Sequence, residues 1–125
     1  MRQSPRPVFL NPMKIRMPVG AVTSIAHRIT GILLAAAVPV SVYLFDLSLR
    51  SEQAFAAART VFEHMAIKAV LVIVIWALSH HLLAGIRHLL SDFNLGSPLR
   101  TARRSAWLVN AGGVAMALLA AGALL

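Results

Sequence analysis

Four of the five histidines of this chain, together with one serine–arginine pair, have types and spacings that could carry chemistry. His81, Gly85 and His88 follow one another at i, i+4 and i+7, so in a helix they share one face. Counted back from Asp92 at about 1.5 Å per residue, His81 lies about 16 Å along that helix and His88 near its end. An imidazole at that depth in a bilayer is costly unless it faces protein or a cofactor. It can bond a neighbouring helix, ligate a haem iron or relay a proton, and spacing leaves all three open. Gly85, one turn away, would let a flat macrocycle approach the backbone. A bis-imidazole b-type haem needs ligands on opposite sides of the iron, whereas His81 and His88 project the same way. The second ligand must then come from His27, from His80 or from another chain. His80 points about 100° away from His81, which suits packing or hydrogen bonding better than co-ligation.

Ser24 and Arg28 are four residues apart and face the same way at the mouth of the first apolar segment. A hydroxyl and a fixed cation so placed can hydrogen-bond a quinone carbonyl and offset the negative charge that builds on reduction. The plainer alternative is a helix-capping serine and an arginine that snorkels to lipid phosphate. His27 and Arg28 are also placed to meet haem propionates. Arg87 and Asp92 read as interfacial charges, and Tyr43, Trp76 and Trp107 as packing or interfacial aromatics.

These residues must be positioned by membrane helices. The chain has 125 residues, 58% of them hydrophobic, and a mean hydropathy of +0.75, well above a soluble domain. Within Ile29 to Leu49 the only charge is Asp46, Ala69 to Ile86 has two histidines and no formal charge, and Ser105 to Leu125 has none. Each run is close to the roughly 20 residues that cross a bilayer core. We expect an N-terminal arm over 1–20, rich in proline, and a three-helix transmembrane domain over 21–125, with helices near 21–49, 65–91 and 103–125. Pro39 should kink the first span, and Glu52 to His64 can form a short helix at the outer interface.

Nine of the 12 basic residues lie before the first span or between the second and third, and Arg50, Arg59 and Lys68 lie in the remaining loop. By the positive-inside rule the N-terminus is cytoplasmic, or in the matrix of a mitochondrion. The net charge of +8 thus tracks topology, and without a basic patch interleaved with aromatics it does not indicate nucleic acid. With no cysteine, the chain itself offers no disulfide, thiolate metal site or iron–sulfur ligation.

Three segments carry a resemblance: Arg6-Pro7-Val8; Ser24-Ile25-Ala26-His27-Arg28-Ile29-Thr30-Gly31; and His81-Leu82-Leu83-Ala84-Gly85-Ile86-Arg87-His88-Leu89, followed by Asp92. In this order, and against three spans, the chain resembles the cytochrome b membrane-anchor subunit of succinate dehydrogenase (respiratory complex II). The resemblance implies an all-α membrane protein that packs with a second, smaller anchor subunit. It implies haem b shared between the two anchors, with His81 as the axial ligand from this chain and His27 and Arg28 near the propionates. Ser24 and Arg28 would line the site for ubiquinone. Flavin and iron–sulfur clusters would belong to partner subunits, the flavoprotein and the iron–sulfur protein, and the complex would reside in the bacterial inner membrane. The sequence departs from the family pattern at His80, where an aromatic or apolar residue is usual. Two rival readings are a structural anchor with no cofactor role and a small histidine-dependent transporter.

Overall fold

The computed structural model describes residues 16–125 apart from Ser97, and among these residues the secondary structure is helical throughout. Helix α1 spans Val19–Ser48, α2 Glu52–Glu63, α3 Met65–Asp92 and α4 Leu99–Leu124. Residues 1–15 of the expected arm lie outside the described residues, whereas Val19 and Gly20 already belong to α1. Helices α1, α3 and α4 are long and apolar enough to cross a membrane, with 30, 28 and 26 residues. At about 1.5 Å per residue each exceeds the roughly 30 Å hydrocarbon core, so their ends reach the headgroups.

Local chemistry sets the helix ends. Pro18, held at φ −64° and ψ 149°, is the N-cap of α1, a position where a proline ring is compatible with the turn that follows. The helix then runs through Pro39 to Ser48 without a break in its assignment. Ser51 caps α2 by accepting from the Ala54 backbone N–H at 3.1 Å, and Glu52 in its first turn suits the positive pole of the helix. The chain turns sharply at His64, whose extended backbone separates α2 from α3. At the far end of α3, Asn94 adopts φ 58°. The Leu95 N–H donates to Leu90 O and the Asn94 N–H to Ser91 O, both at 2.9 Å. This is a Schellman closure with asparagine in the left-handed position. The third span starts at Leu99, one turn before the expected residue 103, because Pro98 serves as N-cap and the arginines that follow are good helix formers.

Helix α3 is central, with α1 and α4 packed on it and on each other, while α2 packs against α1 and α3. The interior consists largely of small side chains: Ala77, Ala84 and Ala106 are fully buried and Val109 nearly so. Small residues let membrane helices approach closely, since lipid provides no hydrophobic drive between them. Large apolar side chains such as Ile32, Leu82, Leu108 and Leu118 point outward. The start of α1, the end of α3 and the start of α4 share one end of the bundle. This end carries Arg16, Arg28, Arg87, Arg100, Arg103 and Arg104, whereas Arg50, Arg59 and Lys68 lie at the other.

Candidate functional site

Three imidazoles from two helices meet between α1 and α3. His27 stacks on His81 with ring centroids 4.0 Å apart and planes 14° from parallel, and its ring centre lies 5.2 Å from that of His88. Counted from Val19, His27 sits about 12 Å along α1, which agrees with the depth of His81 counted from the end of α3.

The His81 ring is held by α1. Its Nδ1 lies 3.0 Å from His27 O and 3.3 Å from Thr30 Oγ1. A carbonyl oxygen only accepts, so Nδ1 carries the proton and donates. The Thr30 hydroxyl donates to the same carbonyl at 3.0 Å, leaving its oxygen free to accept from Nδ1. Nδ1–H is therefore engaged and the lone pair is on Nε2. This is how proteins commonly fix the tautomer and orientation of a metal-binding histidine. On donor chemistry the residues fit a haem iron: one imidazole, held through Nδ1 by a backbone carbonyl, within a membrane-spanning helix. His27 cannot supply the opposite ligand, because its ring is stacked nearly parallel on His81 rather than across an iron from it. Among the described residues there is no cluster of three metal-binding side chains with metal-site geometry.

The glycines play roles other than the spacing suggested. A Cβ on Gly85 would meet His27 Nε2 at 3.6 Å, so the space above Gly85 is occupied by the His27 ring and is not an open approach for a macrocycle. The tight contact is on α1, where a Cβ on Gly31 would lie 3.0 Å from His81 Cε1. Gly31 lets the two helices close until the His81 ring reaches its partners.

His80 faces the opposite way, into the α3–α4 interface. Only 2% of it is exposed. Its Nε2 lies 3.1 Å from Asn110 Oδ1, and Trp76 and Gly113 enclose the ring. Asn110 Oδ1 also lies 3.1 Å from Thr23 Oγ1, whose single hydroxyl proton it shares with Val19 O at 3.0 Å. His80 is thus a hydrogen-bonding core residue whose Nε2 is taken. Thr23 and Asn110 escaped the sequence reading, and Thr30 entered it only as a motif position. A mid-span asparagine is itself a signal, since a polar group at that depth needs a partner. A threonine gives no such signal because it can satisfy itself on its own helix, as Thr23 does through Val19 O at 3.0 Å.

Ser24 is half-buried and Arg28 exposed, one turn apart on α1 and at the same end of the bundle as the histidines. Arg87 is half-buried; it donates through Nε to Ser105 Oγ at 3.0 Å and through Nη2 to Ala102 O at 3.3 Å, tying α3 to the start of α4. Asp46 and Arg50 pair at 2.6 Å at the far end of α1, both about 60% exposed, as suits an interfacial acid. The bond to Asp46 raises the Arg50 pKa further above its already high ordinary value.

Comparison with known proteins decides the family. The profile of the succinate dehydrogenase/fumarate reductase transmembrane subunit matches residues 2–120. The chain belongs to this family. It is 36% identical over 114 residues to the succinate dehydrogenase cytochrome b556 subunit of Paracoccus denitrificans, covering 91% of this chain and 88% of the relative. It is 35% identical over 105 residues to the subunit of the same name from Coxiella burnetii, covering 83% and 84%. The Rickettsia conorii subunit is 33% identical over 101 residues, covering 81% and 78%. This succinate dehydrogenase anchor is accordingly a multi-pass membrane subunit of an oxidoreductase complex, with the three-span helical architecture its sequence implied.

Proposed function

We propose that this subunit binds haem b through His81 and forms part of the site at which ubiquinone is reduced with electrons from succinate. The observation that carries the reading is the hold on His81: with Nδ1–H engaged by His27 O at 3.0 Å and by Thr30 Oγ1, the free lone pair is on Nε2. A second membrane-anchor subunit would supply the other ligand. When bound, the haem supplies a one-electron redox centre whose potential its axial imidazoles help to set. His27 and Arg28 are the residues of this chain that would meet the propionates.

Ser24 and Arg28 carry the quinone role. The serine hydroxyl donates to a quinone carbonyl, and the arginine cation offsets the charge that accumulates as two electrons arrive. Protons come from interfacial water, because the only acid at this end of the bundle is Asp92. Succinate is oxidised in a flavoprotein subunit, and an iron–sulfur subunit carries the electrons to this site. The N-terminus is cytoplasmic, following the arginines gathered at that end, and the complex sits in a bacterial inner membrane.

The test is the reduced-minus-oxidised visible spectrum of the purified complex. His81→Ala should lose the six-coordinate b-type signal and His80→Ala should keep it; retention in His81→Ala refutes the ligand assignment. Ser24→Ala and Arg28→Leu should abolish quinone reduction while sparing succinate oxidation by an artificial dye, and unchanged quinone reduction removes both from the site.

A further inference from the structure

The adjacent imidazoles His80 and His81 are held from opposite sides. His81 is bonded to α1 through His27 O, and His80 to α4 through Asn110. Asn110 in turn is bonded to Thr23 on α1. Thr23 and His27 are four residues apart, on one face of α1. The hydrogen bonds therefore close a ring through all three spans: α1 to α3, α3 to α4 and α4 back to α1. Thr23 and Thr30 have no exposed surface and His80 has 2%, while His27, His81 and Asn110 are half-buried, so each of these bonds has at least one partner or neighbour with little access to water.

Such a ring answers a problem this bundle has. The exposed faces of α1, α3 and α4 carry many large apolar side chains spread around each helix, so the hydrophobic pattern by itself specifies poorly how far each helix is rotated about its axis. Buried polar pairs can specify it, as a single polar residue fixes register in a coiled coil. Gly113 makes the fit one-sided: a Cβ there would lie 3.1 Å from His80 Cβ, so α4 sits against the α3 backbone at the level of His80 and leaves little room for α3 to turn. Interchanging the oxygen and nitrogen of the Asn110 amide would swap donor and acceptor toward His80 and Thr23 while keeping both contacts.

We infer that Thr23, Asn110 and His80 are positioning residues for the haem centre: they fix the rotation of α3 and so the plane in which the His81 ring is presented. This rests on His81 being the ligand. Rotation of α3 would move the His81 ring relative to the partner's imidazole, and the electron paramagnetic resonance signal of a low-spin ferric bis-imidazole haem depends on the angle between the two ring planes. A residue that only held the fold together would alter haem content or assembly and leave that signal in place.

The experiment compares Asn110→Leu, Thr23→Val and Thr23→Ser in the assembled, detergent-purified complex. Valine keeps the volume of threonine without its hydroxyl, and serine keeps the hydroxyl. The expected result is near-normal haem content in all three, a shifted low-spin signal in Asn110→Leu and Thr23→Val, and the wild-type signal in Thr23→Ser. A wild-type signal in Asn110→Leu or in Thr23→Val overturns the inference. Failure of both variants to assemble also overturns it, since the triad is then a folding requirement and not an aiming device. His81→Ala separates the two readings: if it loses haem while Asn110→Leu is spectroscopically normal, only the positioning role falls, and if it retains six-coordinate haem the ligand assignment falls with it.

Discussion

Replacing Gly31 with alanine sets two effects of known sign against each other. In an unobstructed helix the change stabilises by up to about 1 kcal/mol, through lower backbone entropy in the unfolded chain and better helix propensity. Here the new methyl would lie 3.0 Å from His81 Cε1, against an optimal carbon–carbon separation of about 3.5–4.0 Å. Relief requires the ring or the helix to move by about 0.5 Å or more. The ring is bonded to His27 O at 3.0 Å, and the same displacement stretches that bond to about 3.5 Å, past the useful range for N–H···O. Overpacking of this kind costs about 1–3 kcal/mol, so the helix gain is cancelled or exceeded. Gly122→Ala is the matched control, because a Cβ there meets nothing within 4 Å. We expect Gly31→Ala to be less stable than Gly122→Ala by about 1–3 kcal/mol, read as earlier thermal loss of the b-type absorbance of the purified complex, with lower haem content. Equal stability and full haem content in the two variants would refute the close α1–α3 contact and the argument built on it.

Two neighbouring glycines on α4 should respond differently. A Cβ on Gly113 meets His80 Cβ at 3.1 Å, an atom fixed to the α3 backbone, so Gly113→Ala should destabilise by about 1–3 kcal/mol. A Cβ on Gly112 meets only the end of the Leu83 side chain, at 2.9 Å, which can swing aside, so Gly112→Ala should stay within about 0.5 kcal/mol of wild type; equal effects in a denaturation series would contradict this. Arg87→Met should lower the denaturation midpoint by the equivalent of about 1–3 kcal/mol, the usual range for losing hydrogen bonds to a charged group. Arg87→Lys should recover only part of it, because one ammonium cannot reproduce the fork that reaches both Ser105 Oγ and Ala102 O; an unchanged midpoint in the methionine variant would show that the tie carries no stability.

The spans were legible because hydrophobic length is a property of the sequence itself, and a short helix over Glu52 to His64 was expected as well, though not the Ser51 cap that starts it. The end of α3 and the start of α4 were less so, since they depend on Asn94 taking a left-handed conformation and Pro98 serving as cap. At the site, spacing singled out His81 and set His80 apart from it. What spacing could not supply was the partner of each ring. Gly85 looked like room for a cofactor because its neighbours on α3 were the only ones countable; His27, from another helix, fills that room, and Gly31 makes the contact that spacing had given to Gly85. Asn110 was passed over inside an alanine- and leucine-rich span although its amide, at that depth, was the one group there that had to be paired.

Asn110 also has a consequence for the order in which the chain is made. Helices α1, α2 and α3 are synthesised, and emerge, ahead of residue 110, so the first two spans can join through His81 and His27 while Thr23 and His80 still await their common partner. Thr23 can meanwhile rest on Val19 O alone, a bond it also makes in the finished bundle; the His80 imidazole would face lipid. An unfinished or mis-inserted third span therefore leaves a polar ring on the flank of an otherwise apolar hairpin, the kind of blemish by which membrane chaperones and proteases tell an incomplete subunit from one ready for assembly.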